Sequence, residues 1–261
     1  MKNIGSRRSL VGRARPTRWA AMRSVLLVVL LVEVGVTLRY SPALNVRHVY
    51  VKGTMLTRPE QIVEKAGFKR DSNWLFLPTS RMVHRLERLP AVADATVSRG
   101  RMGTVYIHIF ERQPLALLRT SSGSYWVDAR GVAFWRTEEA SKLPIIRVES
   151  PLTVELGRVV QSRSVQAALE VLHRYAPEYQ LPVSQIEVDH EGNLCLNMRG
   201  RFPPVRIGDS SELPAKLMRV ADLWTQSHII HHAEYLDVSC VSKPVWKPLR
   251  IWKPLRKKGA L

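Results

Sequence analysis

Two cysteines in 261 residues are too few for the disulfide framework that staples small exported domains. Cys240 continues the alternation of Leu236 and Val238, whereas Cys195 is out of phase with Leu194, Leu196 and Met198. The pair therefore reads as two small apolar residues rather than a bridge. The chain also lacks the short patterns that carry familiar chemistry: it has no G-x-S-x-G, no P-loop, no H-E-x-x-H and no paired-cysteine metal spacing. His228, His231 and His232, with Asp237 downstream, form the best metal candidate, yet they follow a helix in a polar connector and read as a solvated turn. Glu111 beside Arg112 reads as a strand terminus meeting solvent or a neighbouring domain, not as an acid–base pair. No enzymatic role and no cofactor or metal are expected.

Acidic charge is missing from both ends. Seven basic side chains and no acidic ones occur in residues 1–24, and the same holds for residues 243–261. The net charge is +18, so with seven at each end the body between carries only +4. That excludes an electrostatic clamp on nucleic acid and leaves the two ends to be explained separately. Long apolar runs are scarce as well, since only residues 25–32 are uninterrupted before Glu33. A helix from Trp19 to Leu38 would still be about 30 Å long, enough to cross a bilayer core. Lys2, Arg7, Arg8, Arg13, Arg15, Arg18 and Arg23 precede the apolar stretch Val25 to Leu38, while only Arg39 follows closely, which is positive-inside topology. No small-x-small cleavage site lies between Leu38 and Leu44, so an uncleaved anchor is preferred to a signal peptide. Glu33 has two readings: a carboxyl protonated in the membrane or facing water, or a contact with a partner helix.

Residues 46–116 give the clearest local order, β-α-α-β-β. Val49 and Val51 alternate with polar neighbours up to Gly53. Thr57 with Glu60 suggests a capping box, Ile62, Val63 and Ala66 an apolar face, and Gly67 a stop. A second helix from Thr79 or Ser80 places Met82, Leu86 and Leu89 on one side before Pro90. Two strands follow, with inward rows Ala93, Ala95, Val97 and Val105, Ile107, Ile109.

This order, and the wording inside it, resembles a POTRA domain of the FtsQ/DivIB family of bacterial cell-division proteins. The residues that carry the resemblance are Val49-Tyr50-Val51-Lys52-Gly53, Gly67 followed by Asn73-Trp74-Leu75-Phe76, the run from Leu89-Pro90-Ala91-Val92 to Val97-Ser98-Arg99, and Ile109-Phe110-Glu111-Arg112-Gln113-Pro114-Leu115-Ala116. A second, β-rich unit follows. Strands are expected at 115–119, 125–128, 132–135, 143–146, 186–188, 194–198, 205–207 and 234–241. One helix should carry Val165, Ala168, Leu169 and Leu172, and another Leu213, Leu217, Val220 and Trp224. Asp128-x-x-Gly131, Leu143-Pro144-Ile145-Ile146, Ile207-Gly208, Lys216-Leu217 and Tyr235-Leu236-Asp237-Val238 are similar to the β domain of the same family. Many members have Arg where this chain has Ser239.

The expected architecture is α+β. It comprises a basic cytoplasmic tail (1–19), a transmembrane anchor (20–38), a POTRA domain (45–114), a mainly antiparallel β domain with two helices (115–243) and a disordered basic Trp/Pro tail (244–261). The resemblance implies a single-pass protein of the cytoplasmic membrane, its bulk extracytoplasmic, concentrated at the division septum. It further implies a non-enzymatic scaffold with FtsB/DivIC-like and FtsL-like partners and a link to septal peptidoglycan synthesis. The alternative is a POTRA-containing outer-membrane assembly or secretion component, disfavoured because no long series of alternating ten-residue strands follows. Strand addition at 234–241 is the expected mode of recognition, with Tyr235, Asp237 and Ser239 as contacts. In the tail, the tandem Trp-Lys-Pro-Leu-Arg supplies Trp246, Lys247, Arg250, Trp252, Lys253 and Arg256. They read either as a contact for anionic lipid or wall polymer, or as a solvated tail.

Overall fold

An apolar helix, α1 (Arg18–Tyr40), leads into two β-containing units. The computed structural model describes residues 18–69, 71–101, 103–139, 142–200, 202–225 and 233–248. From Ala21 to Tyr40, α1 is long and apolar enough to cross a membrane, and it runs two residues past the expected end at Leu38. The basic stretch before Arg18, the histidines at 228, 231 and 232, and Arg250, Trp252, Lys253 and Arg256 lie outside the described residues.

The first unit comprises β1 (His48–Lys52), α2 (Pro59–Ala66), α3 (Thr79–Leu86), β2 (Val92–Arg99) and β3 (Thr104–Glu111). Its sheet has the order β1-β3-β2, with β1 parallel and β2 antiparallel to β3. Ile62, Ala66, Met82 and Leu86 pack on Val105, Ile107 and Ile109, each large side chain contributing about 1.5–3 kcal/mol of burial. Two local expectations fail. Thr57 forms no capping box, because its backbone N–H donates to Glu111 Oε1 at 2.9 Å and α2 starts at Pro59, whose missing N–H suits the first turn. In β2 the pairing slips between Val92 and Asp94, so the inward row is Val92, Ala95 and Val97, with Ala93 only half-buried.

In the second unit, β4 (Ala116–Thr120), β5 (Gly123–Val127), β6 (Val132–Arg136), β7 (Ile145–Val148) and β8 (Arg158–Val159) precede α4 (Arg163–Glu170). Ser162 caps α4 by accepting from Val165 N. The helix continues through a π-helical turn, Val171–Tyr175, into α5 (Ala176–Glu178). Then come β9 (Val183–Val188), β10 (Leu194–Met198), β11 (Val205–Gly208), α6 (Leu213–Thr225), β12 (Ala233–Asp237) and β13 (Val245–Pro248). They form one open sheet, β13-β12-β11-β10-β9-β7-β4-β5-β6-β8. Most of its neighbours are antiparallel, but β4, β7 and β9 run parallel, as do β11 and β12. Helical crossovers carry two of these returns, α4 between β7 and β9 and α6 between β11 and β12, while β5 and β6 lie between β4 and β7. The helices bury one face of the sheet, where Ile146, Ile186, Leu196, Ile207 and Leu236 meet Val165, Leu169, Leu217 and Val220.

The last strand was expected over 234–241 and the tail after 243 was expected to be disordered. Instead β12 stops at Asp237, whose Oδ1 accepts from Ser239 N at 3.0 Å and from Ser239 Oγ at 2.6 Å, turning the chain. Residues 245–248 then return as β13, antiparallel to β12. The same turn leaves Cys240 exposed, correcting its expected place in the inward row.

The two units meet through the charges that close β3. Glu111 accepts from the backbone N–H groups of Met55, Leu56 and Thr57, holding the loop after β1. Arg112 turns the other way, and its Nη1 donates to Asp128 Oδ2 at 2.7 Å while Nε donates to Pro90 O at 3.1 Å. Asp128 Oδ1 meanwhile accepts from Arg130 N and Val132 N. Both side chains of this pair are almost buried. Replacing Asp128 by Ala removes the ion pair and two turn hydrogen bonds and leaves Arg112 buried without its counter-charge. We expect Asp128→Ala to cost about 3–5 kcal/mol in urea denaturation, with a loss under 1 kcal/mol contradicting this assignment.

Candidate partner-binding edge

Alternation across β9 to β12 sends one set of side chains away from the helices. Glu187, Cys195, Asn197, Arg206, Tyr235 and Asp237 occupy that open face. Glu187 Oε1 accepts from Gln185 Nε2 at 2.6 Å and from Asn197 Nδ2 at 3.2 Å. The Arg206 guanidinium lies 4.1 Å from the centre of the Tyr235 ring, and Lys247 Nζ lies 5.7 Å from it. These are cation–π distances. Asp237 and Ser239, with Glu187, Cys195 and Arg206, line a recess of about 460 Å³. Two of the three expected recognition residues, Tyr235 and Asp237, thus lie together on β12, and Ser239 joins them from the turn rather than from the strand.

At the edge itself β13 pairs Val245 with Asp237, Trp246 with Leu236 and Lys247 with Tyr235. All four of its residues are exposed. Trp246 remains 44% exposed, so the strand buries little apolar surface. Lys247 Nζ reaches Glu234 Oε2 at 2.9 Å, an exposed pair worth about 0–1 kcal/mol. Pro248 ends the ladder without an N–H to donate. Backbone hydrogen bonds, rather than side-chain packing, therefore hold this edge.

Behind the edge, Gly208 closes β11 with φ +72°, and an added Cβ there would come within 2.9 Å of Ser239 Cβ. This position needs glycine on both counts. Asp209 follows, and the buried Lys216 of α6 donates to both its backbone carbonyl at 3.0 Å and its Oδ1 at 2.8 Å. The Lys216-Leu217 signal in the sequence thus bonds the residue that directly follows the Ile207-Gly208 signal. Glu33 is far from this assembly in sequence. It sits exposed along α1, with no ion pair among the described residues. Nor is any group of three or more His, Cys, Asp or Glu side chains placed to hold a metal among the described residues. Sequence reasoning missed β13 because its tryptophan, lysine and proline pattern carries no period-2 apolar row; the length of chain after the Asp237 turn was the available signal.

Among the described residues, one helix long and apolar enough to cross a membrane, a three-stranded β-α-α-β-β unit and an open, mostly antiparallel sheet with an accessible C-terminal edge define a two-unit α+β protein preceded by an apolar helix. Residues 44–112 match the POTRA domain, FtsQ-type, and residues 116–239 match the C-terminal domain of the cell division protein FtsQ/DivIB. The chain belongs to the FtsQ/DivIB family of cell-division proteins. It is 26% identical over 208 residues to cell division protein FtsQ of Mycobacterium tuberculosis strain ATCC 25618 / H37Rv, covering 79% of this chain and 63% of that relative. Over 250 residues it is 26% identical to the Mycolicibacterium smegmatis protein, covering 90% and 71%. A myxobacterial relative, from Anaeromyxobacter sp. (strain K), is 28% identical over 218 residues, covering 81% and 73%. The match spans 56% of the relative from Mycobacteroides abscessus, so this chain covers less than two thirds of several relatives it resembles.

Two measurements test the geometry. The hydrogen bond from Lys216, then those from Ser211, hold the Asp209 carboxyl down from 3.8 to about 2. A depressed acid stabilises the fold above its ordinary pKa, and the contribution disappears as pH falls from 3.8 toward 2. In Lys216→Met the Asp209 carboxyl should titrate closer to 3.8 by NMR; an unmoved titration would break the link. Burial, then the charge of Glu187, pushes the Cys195 thiol up to about 11, leaving roughly a hundredfold less thiolate at pH 8 than an ordinary cysteine. The exposed Cys240 thiol is lowered by its hydrogen bond to Ser242. Iodoacetamide should therefore modify Cys240 well before Cys195 in peptide mapping, and equal rates would contradict the burial.

Proposed function

We propose that this chain is a bitopic, non-enzymatic scaffold of the division machinery. In this reading the basic N-terminal end stays in the cytoplasm, α1 crosses the cytoplasmic membrane once, and both β-containing units work outside it at the septum. The scaffold recruits FtsB/DivIC-like and FtsL-like partners, and through them links other division membrane proteins to septal peptidoglycan synthesis. What supports it is family membership together with one observation: the sheet ends on a four-residue strand, β13, whose residues are all exposed.

Such an edge suits recognition by strand addition, in which backbone hydrogen bonds give affinity and alternate side chains give specificity. The incoming strand takes the place of β13 on β12. There it meets the Tyr235 ring already flanked by Arg206, and beyond it Asp237 and Ser239 at the mouth of the recess. Displacement is inexpensive because β13 gives up only a short ladder and an exposed ion pair. Glu33 is assigned to a contact between α1 and a partner helix, since a lone carboxyl in an apolar span is stabilised by a polar group on a neighbour. Trp246 and Lys247, once released, rejoin Arg250, Trp252, Lys253 and Arg256 as a cationic aromatic tail suited to anionic lipid or wall polymer.

Tyr235→Glu combined with Ser239→Glu should abolish co-purification of the FtsB-like partner, while deletion of residues 244–261 should leave its affinity equal or raise it. Loss of binding on that deletion would move the partner onto the outer side of β13. A fluorescent fusion is expected as a midcell band; uniform envelope labelling would sink the septal assignment.

A further inference from the structure

The Asn73-Trp74-Leu75-Phe76 segment has no part in the edge just described, yet it is tied to both ends of the membrane-proximal structure. Asn73 is buried, and its Nδ2 donates to Leu38 O at 2.7 Å and Arg39 O at 3.2 Å. Those are carbonyls of the last turn of α1, which a helix terminus leaves without intrahelical donors. The Asn73 Oδ1 accepts from Leu75 N at 2.9 Å, fixing the loop beyond it. Val46 N donates to Ser72 O and Trp74 N to Leu44 O, so the linker after α1 pairs with the same loop. On the other side the Trp74 indole donates to Thr104 O at the start of β3. The end of α1 and the POTRA unit are thus joined by hydrogen bonds, not by a free linker.

That joint sets a depth. The apolar span Ala21–Tyr40 has 20 residues and is about 30 Å long, close to the thickness of a bilayer's hydrocarbon core. Its last turn, and the loop bonded to it, therefore lie at the headgroup boundary. The side chains there fit that boundary: Leu75 is 37% exposed, Phe76 51% and Tyr40 77%. The Arg39 guanidinium lies 5.6 Å from the Tyr40 ring centre and 5.9 Å from that of Phe76. Arg39 and Lys69 also line a recess of about 300 Å³ beside Phe76, with Asp71 as its one acidic wall. Apolar and aromatic tips next to cations are the pattern of interfacial anchoring.

We propose that residues 73–76 form a lipid contact that seats the POTRA unit on the outer surface of the membrane. Leu75 and Phe76 enter the headgroup region, and Arg39 and Lys69 face lipid phosphates. The occupant is the bilayer, because the loop is continuous with the span that crosses it. The inference rests on α1 being a membrane span, and the test separates the two. The full-length chain with Cys195→Ala and Cys240→Ser is reconstituted into phosphatidylethanolamine and phosphatidylglycerol vesicles, carrying one cysteine at a time from Val29→Cys, Met55→Cys, Leu75→Cys or Phe76→Cys. Each cysteine bears an environment-sensitive fluorophore. Met55 lies at the far end of β1, beside Glu111, and reports water. The labels at 75 and 76 should shift to the blue and lose emission to lipids quenched near the headgroup, while the label at 29 responds to deep quenchers. If 29 is quenched and 75 and 76 match 55, the contact is overturned and the span stands. If 75 and 76 shift without quenching, protein covers the loop and the proposal fails. If 29 is not quenched, the span fails and the proposal with it.

Discussion

The buried ion pair between Arg112 and Asp128 is the contact through which one unit of this protein knows where the other is. Separated by only 2.7 Å and nearly shut off from water, the two charges need one another, since either alone would face the desolvation cost of an unpaired buried ion. Their geometry is over-determined. Arg112 is held by Pro90 O as well as by Asp128, and its own N–H donates to Ala91 O. Asp128 is held by the turn it caps. Three stretches widely spaced in the chain, the Leu-Pro-Ala run, the Glu-Arg pair and the Asp-x-x-Gly turn, therefore converge on one point. An apolar recess of about 320 Å³, between Leu89-Pro90-Ala91 and Phe134-Trp135, continues the same junction.

Much of the fold could be read from periodicity. Val105, Ile107 and Ile109, or Leu194, Leu196 and Met198, announce both strand and buried face, because a half-buried strand repeats every second residue. Gly67 marked the end of α2, where it takes φ +79°. What escaped was decided over a longer range. The fate of Thr57 depends on Glu111, 54 residues away, and no local pattern reports that a carboxylate will claim its N–H. The bulge at Val92 and the parallel centre of the large sheet are likewise properties of pairing, which the sequence of one strand does not contain.

The candidate edge was half legible for a related reason. Tyr235 and Asp237 alternate against the buried Leu236, so their outward direction followed from the strand alone. That the strand would end at Asp237 depended on a side-chain bond to Ser239, and that the tail would return depended on the vacant backbone groups of β12. An edge strand's unpaired N–H and C=O groups attract whatever extended segment is near. Here the nearest is the chain's own continuation, tethered and hence at high effective concentration. Weak packing of β13 and its proximity are two aspects of one design: tethering keeps the edge paired without requiring a segment that binds strongly.

Successive local ties carry position along the molecule. Asn73 fixes the end of α1 to the POTRA unit, Glu111 fixes the distal loop of that unit to β3, and Arg112 fixes β3 to the turn at Asp128. The Arg112 tie satisfies a charge that would otherwise be buried without a partner, whereas the Glu111 and Asn73 ties satisfy backbone groups that are partly buried or exposed, so slackening costs most at Arg112. A flexible linker at any one of these points would let the C-terminal edge sweep a large volume. With the ties in place, its orientation relative to the end of α1 is set by the fold. A body jointed in this way gives up less orientational freedom on binding than a loosely jointed chain does. The exposed edge strand β13 is thus presented by a body whose joints are side-chain hydrogen bonds and a nearly buried ion pair.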